Sequence, residues 1–387
     1  MMSHVEKTVS KLLSHGLVAS SGDVALYGRD DEIVSNRTEI DPRTRDLFDR
    51  LDINSLLVIS PSPPYREILR ILCGGGENTI EPRDGETVLF LHDIPLVDPK
   101  DHEALVKTLA RRKGCVLRDG RIVSHGTVSM EQAFVTASSI CFSTFVKTFL
   151  DFLNFATRNG PIMPFSTRQA RGIRDLLSTV PAPPGGGTLP SMPTGTPSEI
   201  VAAMDACGKR TVEARLVDSF FGNLSWCDGE TLSISQTGSS LDELPGRIDR
   251  IPLDGSSTAG LTASSETGTH LAIYGETEAR AILHGHPRFS VVLSMYCTET
   301  DCRHDDACSR TCPVPRRVGD VPIVPGEVGT GRYALARTVP PAIRGKRGVI
   351  VYGHGVFCAG KSFPETFDSL ASIERSCLSR YRELVGS

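Results

Sequence analysis

Leu283-His284-Gly285-His286-Pro287 is the stretch on which the reading of this chain turns. It follows the apolar run Ala279 to Leu283, broken only by Arg280, and so reads as the end of a β-strand. Side chains two apart on a strand share a face, which makes His284 and His286 a two-toothed metal ligand. A third imidazole, His354, ends another β-branched run, Val349-Ile350-Val351-Tyr352-Gly353-His354-Gly355. A carboxylate, Glu266, lies upstream in Ala263-Ser264-Ser265-Glu266. One such His would be an ordinary strand-end residue. Three neutral imidazoles with an open fourth position suit a catalytic zinc rather than a structural one.

Outward from this stretch, the chain of 387 residues exceeds one ordinary core, and two domains are expected. The net charge is −4 with 23% charged residues, which offers no basic stripe for nucleic acid. A single Trp and 6% aromatic residues argue against a stacking surface for bases or sugars. Met1 to His15 reads as an amphipathic helix without the apolar core of a signal peptide, and no window of apolar residues reaches membrane-spanning length. Eleven cysteines without a secretion signal suggest reduced thiols and a cytoplasmic protein.

Pro181-Ala182-Pro183-Pro184-Gly185-Gly186-Gly187, continuing to Pro197, reads as a linker. It divides the chain into residues 1–180 and 198–387, with 181–197 between them. The halves look related. Leu17-Val18 through Gly22-Asp23-Val24-Ala25 matches Leu216-Val217 through Gly222-Asn223-Leu224-Ser225, given one inserted residue, Phe220 or Phe221. Gly114-Cys115-Val116-Leu117 through Glu131 matches Gly348-Val349-Ile350-Val351 through Glu365 without a gap. Each late segment runs strand, Gly-rich turn, then a helix opening at Ser129 or Ser362, where Ser362 and Glu365 fit a capping box. So long a period indicates duplicated domains rather than a solenoid. His354 falls opposite Gly120, and nothing in the first half repeats His-x-His. The first half is therefore read as a degenerate copy without metal ligands, and the chemistry is assigned to the second.

In the second half, strands are expected near 215–219, 223–227, 231–235, 280–285, 321–325 and 348–352. Helices are expected at 198–208, 264–275, 287–296, 330–342 and 362–384. That alternation implies an α/β layer fold.

Four features stand in order: Gly222-Asn223-Leu224-Ser225, Gln236-Thr237-Gly238-Ser239-Ser240, Ser264-Ser265-Glu266, and the set His284, His286 and His354. This order resembles the class II aldolase/adducin family, which includes fuculose-phosphate aldolase, rhamnulose-phosphate aldolase and ribulose-phosphate 4-epimerase. The resemblance covers roughly residues 198–384, and more faintly 5–155. It implies a three-layer α/β/α fold in two tandem copies. It also implies a zinc-dependent aldolase acting on a small phosphorylated hydroxy-carbonyl or ketose compound, with His284, His286 and His354 on the metal. Glu266 matches a Glu that occupies the fourth metal position before substrate binds and then serves as general acid/base. Asn223, Thr237, Gly238, Ser264 and Ser265 match the phosphate-binding positions. Hydroxyls and N–H groups at a helix N-terminus suit an anion without Lys or Arg. Retro-aldol cleavage must stabilise an enediolate, which a divalent cation does as a Lewis acid. Members are usually homo-oligomers.

The epimerase branch carries Asp where this chain has Glu266, which tilts the reading towards carbon–carbon cleavage. Epimerase and dehydratase stay as alternatives on the same metal site, and a non-enzymatic, adducin-like interaction protein is the alternative of a different class. The family's proton-donating Tyr downstream of the His pair has no counterpart in Cys302 to Cys312. Tyr333 and Tyr381 are the later candidates; Tyr381 loosely matches a Tyr that reaches a neighbouring subunit, and also fits an amphipathic helix. Cys302, Cys308 and Cys312, with Cys297 and His304 nearby, could hold an additional zinc or an iron–sulfur cluster, although their spacing matches neither a CxxC ribbon nor a common ferredoxin run.

Overall fold

Alternating β-branched runs and amphipathic stretches fold into two sheets flanked by helices. The computed structural model describes residues 2–158, 165–185, 187, 189–190, 196–218, 220–299, 302 and 307–386. The chain forms two units. One holds residues up to Phe152 together with a helix that ends at Thr179, and the other holds Pro181 onward with the last turn of the helix that ends at Thr157.

The first unit runs α1 (Met2–Ser14), β1 (Val24–Arg29), β2 (Ile33–Ser35), α2 (Pro42–Arg50), β3 (Ser55–Ile59), α3 (Tyr65–Cys73), β4 (Thr79–Ile80) and α4 (Gly85–Leu91). It continues through β5 (Ile94–Val97), α5 (His102–Leu109), β6 (Gly114–Leu117), β7 (Ile122–Gly126), α6 (Met130–Thr157) and α7 (Thr167–Thr179). Its sheet order is β2-β1-β3-β7-β6-β5-β4. Leu47, Phe48, Leu56, Val97, Val106 and Leu109 form one core between the sheet, α2 and α5. Helix α6 corrects the expectation of no membrane-length segment: by length and composition it qualifies, but its most apolar window is 94% buried within the protein, as in a core helix.

The second unit runs α8 (Pro197–Glu213), β8 (Asn223–Cys227), β9 (Thr231–Ser235), β10 (Ile248–Pro252), α9 (Thr267–Glu276), β11 (Ala281–Gly285) and α10 (Arg288–Met295). It ends with β12 (Arg316–Val318), β13 (Val321–Val324), α11 (Leu335–Ile343), β14 (Gly348–Val351), β15 (Val356–Gly360) and α12 (Phe363–Val385). The sheet order is β10-β9-β8-β11-β15-β14-β13-β12. Helices α9 and α11 cover one face, where Ile273, Ile282, Val339, Val351 and Phe357 pack together. Helices α8 and α12 cover the other, making three layers. Residues 215–218 form no strand, contrary to expectation. Arg215 takes a left-handed φ of 56° and begins a turn instead. Strands β10, β12 and β15 lie outside the expected set; β10 is broken by polar residues and β12 has only three residues. The start of α12 follows its sequence signal in part. The Ser362 hydroxyl accepts from Glu365 N, while Glu365 Oε2 accepts from Lys361 N rather than closing the expected box on Ser362.

Without β10, the second sheet repeats the first strand for strand, and in both every pairing is antiparallel except one, β5–β6 or β13–β14. The registers agree as well. Ser55 pairs with Gly126 as Ala281 pairs with Gly360, which sets Val58 in the place of His284 and Ser60 in that of His286. On β1, Ala25 rather than Asp23 stands where Asn223 does, because each pairs with the residue in the His284 place. The sequence match is thus two residues out, a slip that keeps the same strand face. Described parts of the 181–197 stretch are tied down in the second unit: Arg375 donates to the carbonyls of Pro183 and Pro184, and Arg210 to that of Gly185.

Close packing under α8 yields one prediction. A Cβ on Gly208 would lie 2.0 Å from the Leu241 carbonyl oxygen, a backbone atom. Gly208→Ala gains about 1 kcal/mol of helix propensity. The overpacking outweighs it, for a net loss of about 2 kcal/mol. Urea denaturation should show a lowered midpoint, and an unchanged or raised one refutes this packing.

Candidate functional site

The end of β11, the β14–β15 turn and the start of α9 meet at one point. His284 occupies β11, and His286 follows just beyond it. His354 sits at the hairpin tip, where Gly353 takes a positive φ of 60° and Val351 N donates to the Gly355 carbonyl. His284, His286 and His354 are all buried, and their ligand atoms lie within 4.8 Å of one another, the only such group of three His, Cys, Asp or Glu among the described residues. The His284 Nε2 is 2.9 Å from His286 Nε2 and 3.1 Å from His354 Nε2. His284 Nδ1 faces the Val356 carbonyl at 3.0 Å, so it must carry the proton and leave Nε2 as a lone pair. Such a convergence of ring nitrogens fits a cation. The separations approach the ~3.4 Å expected between nitrogens in a tetrahedral zinc shell. Phe357 stacks on His284 with ring centres 4.0 Å apart, and Phe221 stacks on His286 at 5.7 Å. Helix α12 anchors the following segment: Glu374 accepts from Phe289 N, Ser290 N and Ser290 Oγ at the start of α10.

Glu266 is the backbone N-cap of α9, so the helix begins three residues later than expected from Ser264. Its Oε1 lies 3.1 Å from His354 Nε2 and its Oε2 3.5 Å from His284 Nε2. Burial opposes its charge; positive charge on His284 and His354, when they are protonated, and the Asn223 amide hold the carboxyl well below the usual carboxylate range. Asn223 Nδ2 donates to Glu266 Oε2 at 2.6 Å.

The turns read as phosphate-binding are brought side by side. A bridge joins Gln236 to Ala263, Thr237 N donates to the Thr262 carbonyl, and Ser264 N donates to that of Ser235. Thr237, Gly238 and Ser265 are exposed and Ser264 is buried. Asn223 is held differently, with both ends of its carboxamide engaged inside the protein.

Sequence reasoning missed three residues that meet this site. His270 Nε2 lies 2.6 Å from Asn223 Oδ1, its Nδ1 lies 2.7 Å from Ser225 Oγ, and Ser225 Oγ lies 2.8 Å from the Tyr274 hydroxyl. Burial lowers the His270 pKa to about 3, against the pull of Glu266, and raises that of Tyr274. The signal was present: Glu266, His270 and Tyr274 follow at intervals of four, one face of a helix.

Other candidates lie elsewhere. Tyr381 is fully buried against Phe289, so it is a core residue and not one that reaches another subunit. Cys302, Cys308 and Cys312 are half-buried. Burial and the neighbouring thiols of Cys312, Cys302 and Cys297 raise the Cys308 pKa. His304 lies outside the described residues. A cavity of about 980 Å³ beside Cys297, Arg316 and Arg375 has none of the three His in its wall.

In the first unit, Val58, Ser60 and Gly120 stand at the places of His284, His286 and His354, and Asp41 caps α2 where Glu266 caps α9. Asp41 accepts from Arg43 N, so its carboxylate serves the helix end.

Residues 202–381 match the family described as Class II Aldolase and Adducin N-terminal domain. No curated protein sequence matches the chain. Among solved structures, L-fuculose-1-phosphate aldolase from Thermus thermophilus is 25% identical, covering 49% of this chain and 97% of its own, with a TM-score of 0.39. The sugar-phosphate aldolase of Thermotoga maritima is 20% identical over 49% of this chain and 97% of its own, with a TM-score of 0.36. An N-terminal class II aldolase domain from Thermoplasma acidophilum is 16% identical over 51% of this chain and 97% of its own, with a TM-score of 0.33. The three imidazoles and Glu266 all lie inside residues 202–381, the stretch that matches the class II aldolase/adducin family model.

Proposed function

We propose that the second unit is a zinc-dependent carbon–carbon lyase acting on a small phosphorylated hydroxy-carbonyl compound. The convergence of three ring nitrogens beside a buried carboxylate carries this reading. His284, His286 and His354 would hold the cation, which when bound supplies Lewis-acid polarisation of substrate oxygens. Glu266 would carry the proton on its carboxylate, a group already shielded from water and held by Asn223. The Thr237-Gly238 turn and Ser264-Ser265 would receive the phosphate through hydroxyls and main-chain N–H groups. The exposure of Thr237, Gly238 and Ser265 supports that assignment. Asn223 would act on Glu266 and, through its second amide hydrogen, on the phosphate. The first unit, without the ligands, would be a structural partner, and the protein a homo-oligomer. A thiol-held second metal at Cys302, Cys308 and Cys312 remains part of this proposal and is separable by metal analysis.

Glu266→Gln tests the reading. The variant should keep its zinc and lose about 10³-fold in kcat for aldehyde release from ketose phosphates, within the range of general acid–base effects. Epimer formation without aldehyde would assign the epimerase reaction, and water loss the dehydratase. Full cleavage by Glu266→Gln would remove the carboxylate from the mechanism. Turnover of none of these substrates by zinc-loaded protein would favour an adducin-like interaction role.

A further inference from the structure

The side chains behind Glu266 form a chain whose polarity follows from elementary donor and acceptor counting. An ionised carboxylate only accepts, so the Asn223 atom facing Glu266 is the amide nitrogen. The carboxamide oxygen then faces His270 Nε2, which must donate to it. A neutral imidazole with Nε2–H leaves Nδ1 as an acceptor, and the Ser225 hydroxyl donates to it. With its proton committed to His270, Ser225 Oγ accepts from the Tyr274 hydroxyl, whose other neighbour, the Arg280 carbonyl, is farther away at 3.3 Å. Every bond in the chain Tyr274, Ser225, His270, Asn223, Glu266 therefore points towards the carboxylate. Asn223, Ser225 and His270 are buried, and Phe357 packs edge-on against the His270 ring at 6.0 Å.

We infer that His270 is a positioning residue, which as its Nε2–H tautomer locks the Asn223 carboxamide so that its N–H group holds Glu266 against the three imidazoles. This rests on the reading of Glu266 given above and extends it to residues that touch neither metal nor substrate. The chain is no proton wire, because a carboxamide cannot pass a proton on without becoming an imidic acid. What it does is orient. Rotating Asn223 by half a turn would set its oxygen against the Glu266 carboxylate and its amide against the His270 donor, so His270 adds a second penalty to the flip. Successive bonds of one polarity also strengthen one another.

The first measurement is nitrogen NMR of histidine-labelled apo-protein. His270 should show a protonated Nε2 and a bare Nδ1. A proton on Nδ1, or on both nitrogens, near neutral pH overturns the inference. Ser225→Ala removes the Nδ1 donor and should release the tautomer, so that Nδ1–H becomes detectable; an unaltered His270 spectrum counts against it. The second measurement is zinc affinity by chelator competition. A Gln side chain can place an amide N–H near the imidazole Nε2, whereas Leu only fills the space. His270→Leu should weaken zinc binding about 10-fold, as for lost supporting hydrogen bonds around metal sites. His270→Gln should recover most of that loss, and kcat should follow the same order with KM little changed. Equal losses in the two variants would mean packing alone, and no loss in either would mean no role. If His270→Leu fails to fold, the NMR of wild type and Ser225→Ala still decides. Should Glu266→Gln prove fully active while the Leu and Gln variants differ in zinc affinity, the proton role fails and the positioning role stands.

Discussion

His284→Ala is expected to lower bound zinc from about one ion per chain to none and to abolish cleavage. His284 is the central imidazole of the three, since its Nε2 lies within 3.1 Å of both other imidazoles and within 3.5 Å of Glu266. Its ring also fills the space against Phe357, so alanine removes a ligand and leaves a void. Stripping wild type with a chelator should produce the same loss of activity and a lower Tm, because a cation bound only by the folded state stabilises it. Plasma emission on wild type and variant decides the matter. Zinc unchanged in His284→Ala would sink the triad as the binding site. A remainder held by His284→Ala and removed by replacing Cys302, Cys308 and Cys312 would assign that remainder to the thiols.

Gly355→Ala should be nearly as damaging, although residue 355 offers no side chain to the site. An added Cβ would fall 2.5 Å from the Gly285 carbonyl oxygen, 2.7 Å from His286 Cδ2 and 2.9 Å from His284 Cε1. The first is backbone in a paired strand, and the other two belong to the imidazole rings of His286 and His284. Relief can come only by moving the hairpin tip that carries His354 or by turning the rings. Displacements of this order near reacting groups cost about 100-fold, and zinc affinity should fall by a similar factor. The fold should survive, since the strain is local. Chelator competition together with circular dichroism would check it, and wild-type affinity in a folded Gly355→Ala protein would refute this account of the turn.

Much of the site was legible because its spacing is local. His284 and His286 are two apart on an extended chain, and that period alone assigns them to one face. Glu266, His270 and Tyr274 share a helical face by the same kind of rule, so this side of the supporting chain is legible in the sequence. The partners of that helix could not be read. Asn223 and Ser225 lie on β8, and only the pairing of β8 with β11 brings them beside α9 and the His pair. Tyr381 follows its helical period, since α12 turns it into the core as an amphipathic-helix residue.

The sequence by itself determined the strand and helix periods around the three His, and the relation between the two halves, because each of these is carried by residue identity at short spacing. Tertiary structure alone decided the two-residue register of the duplicated strand, the engagement of Asn223 with Glu266 and His270, and the need for glycine at 355. These depend on hydrogen-bond pairing and atomic overlap between segments far apart in the chain. Local propensity does not encode such contacts, and they come into being only when the sheet closes.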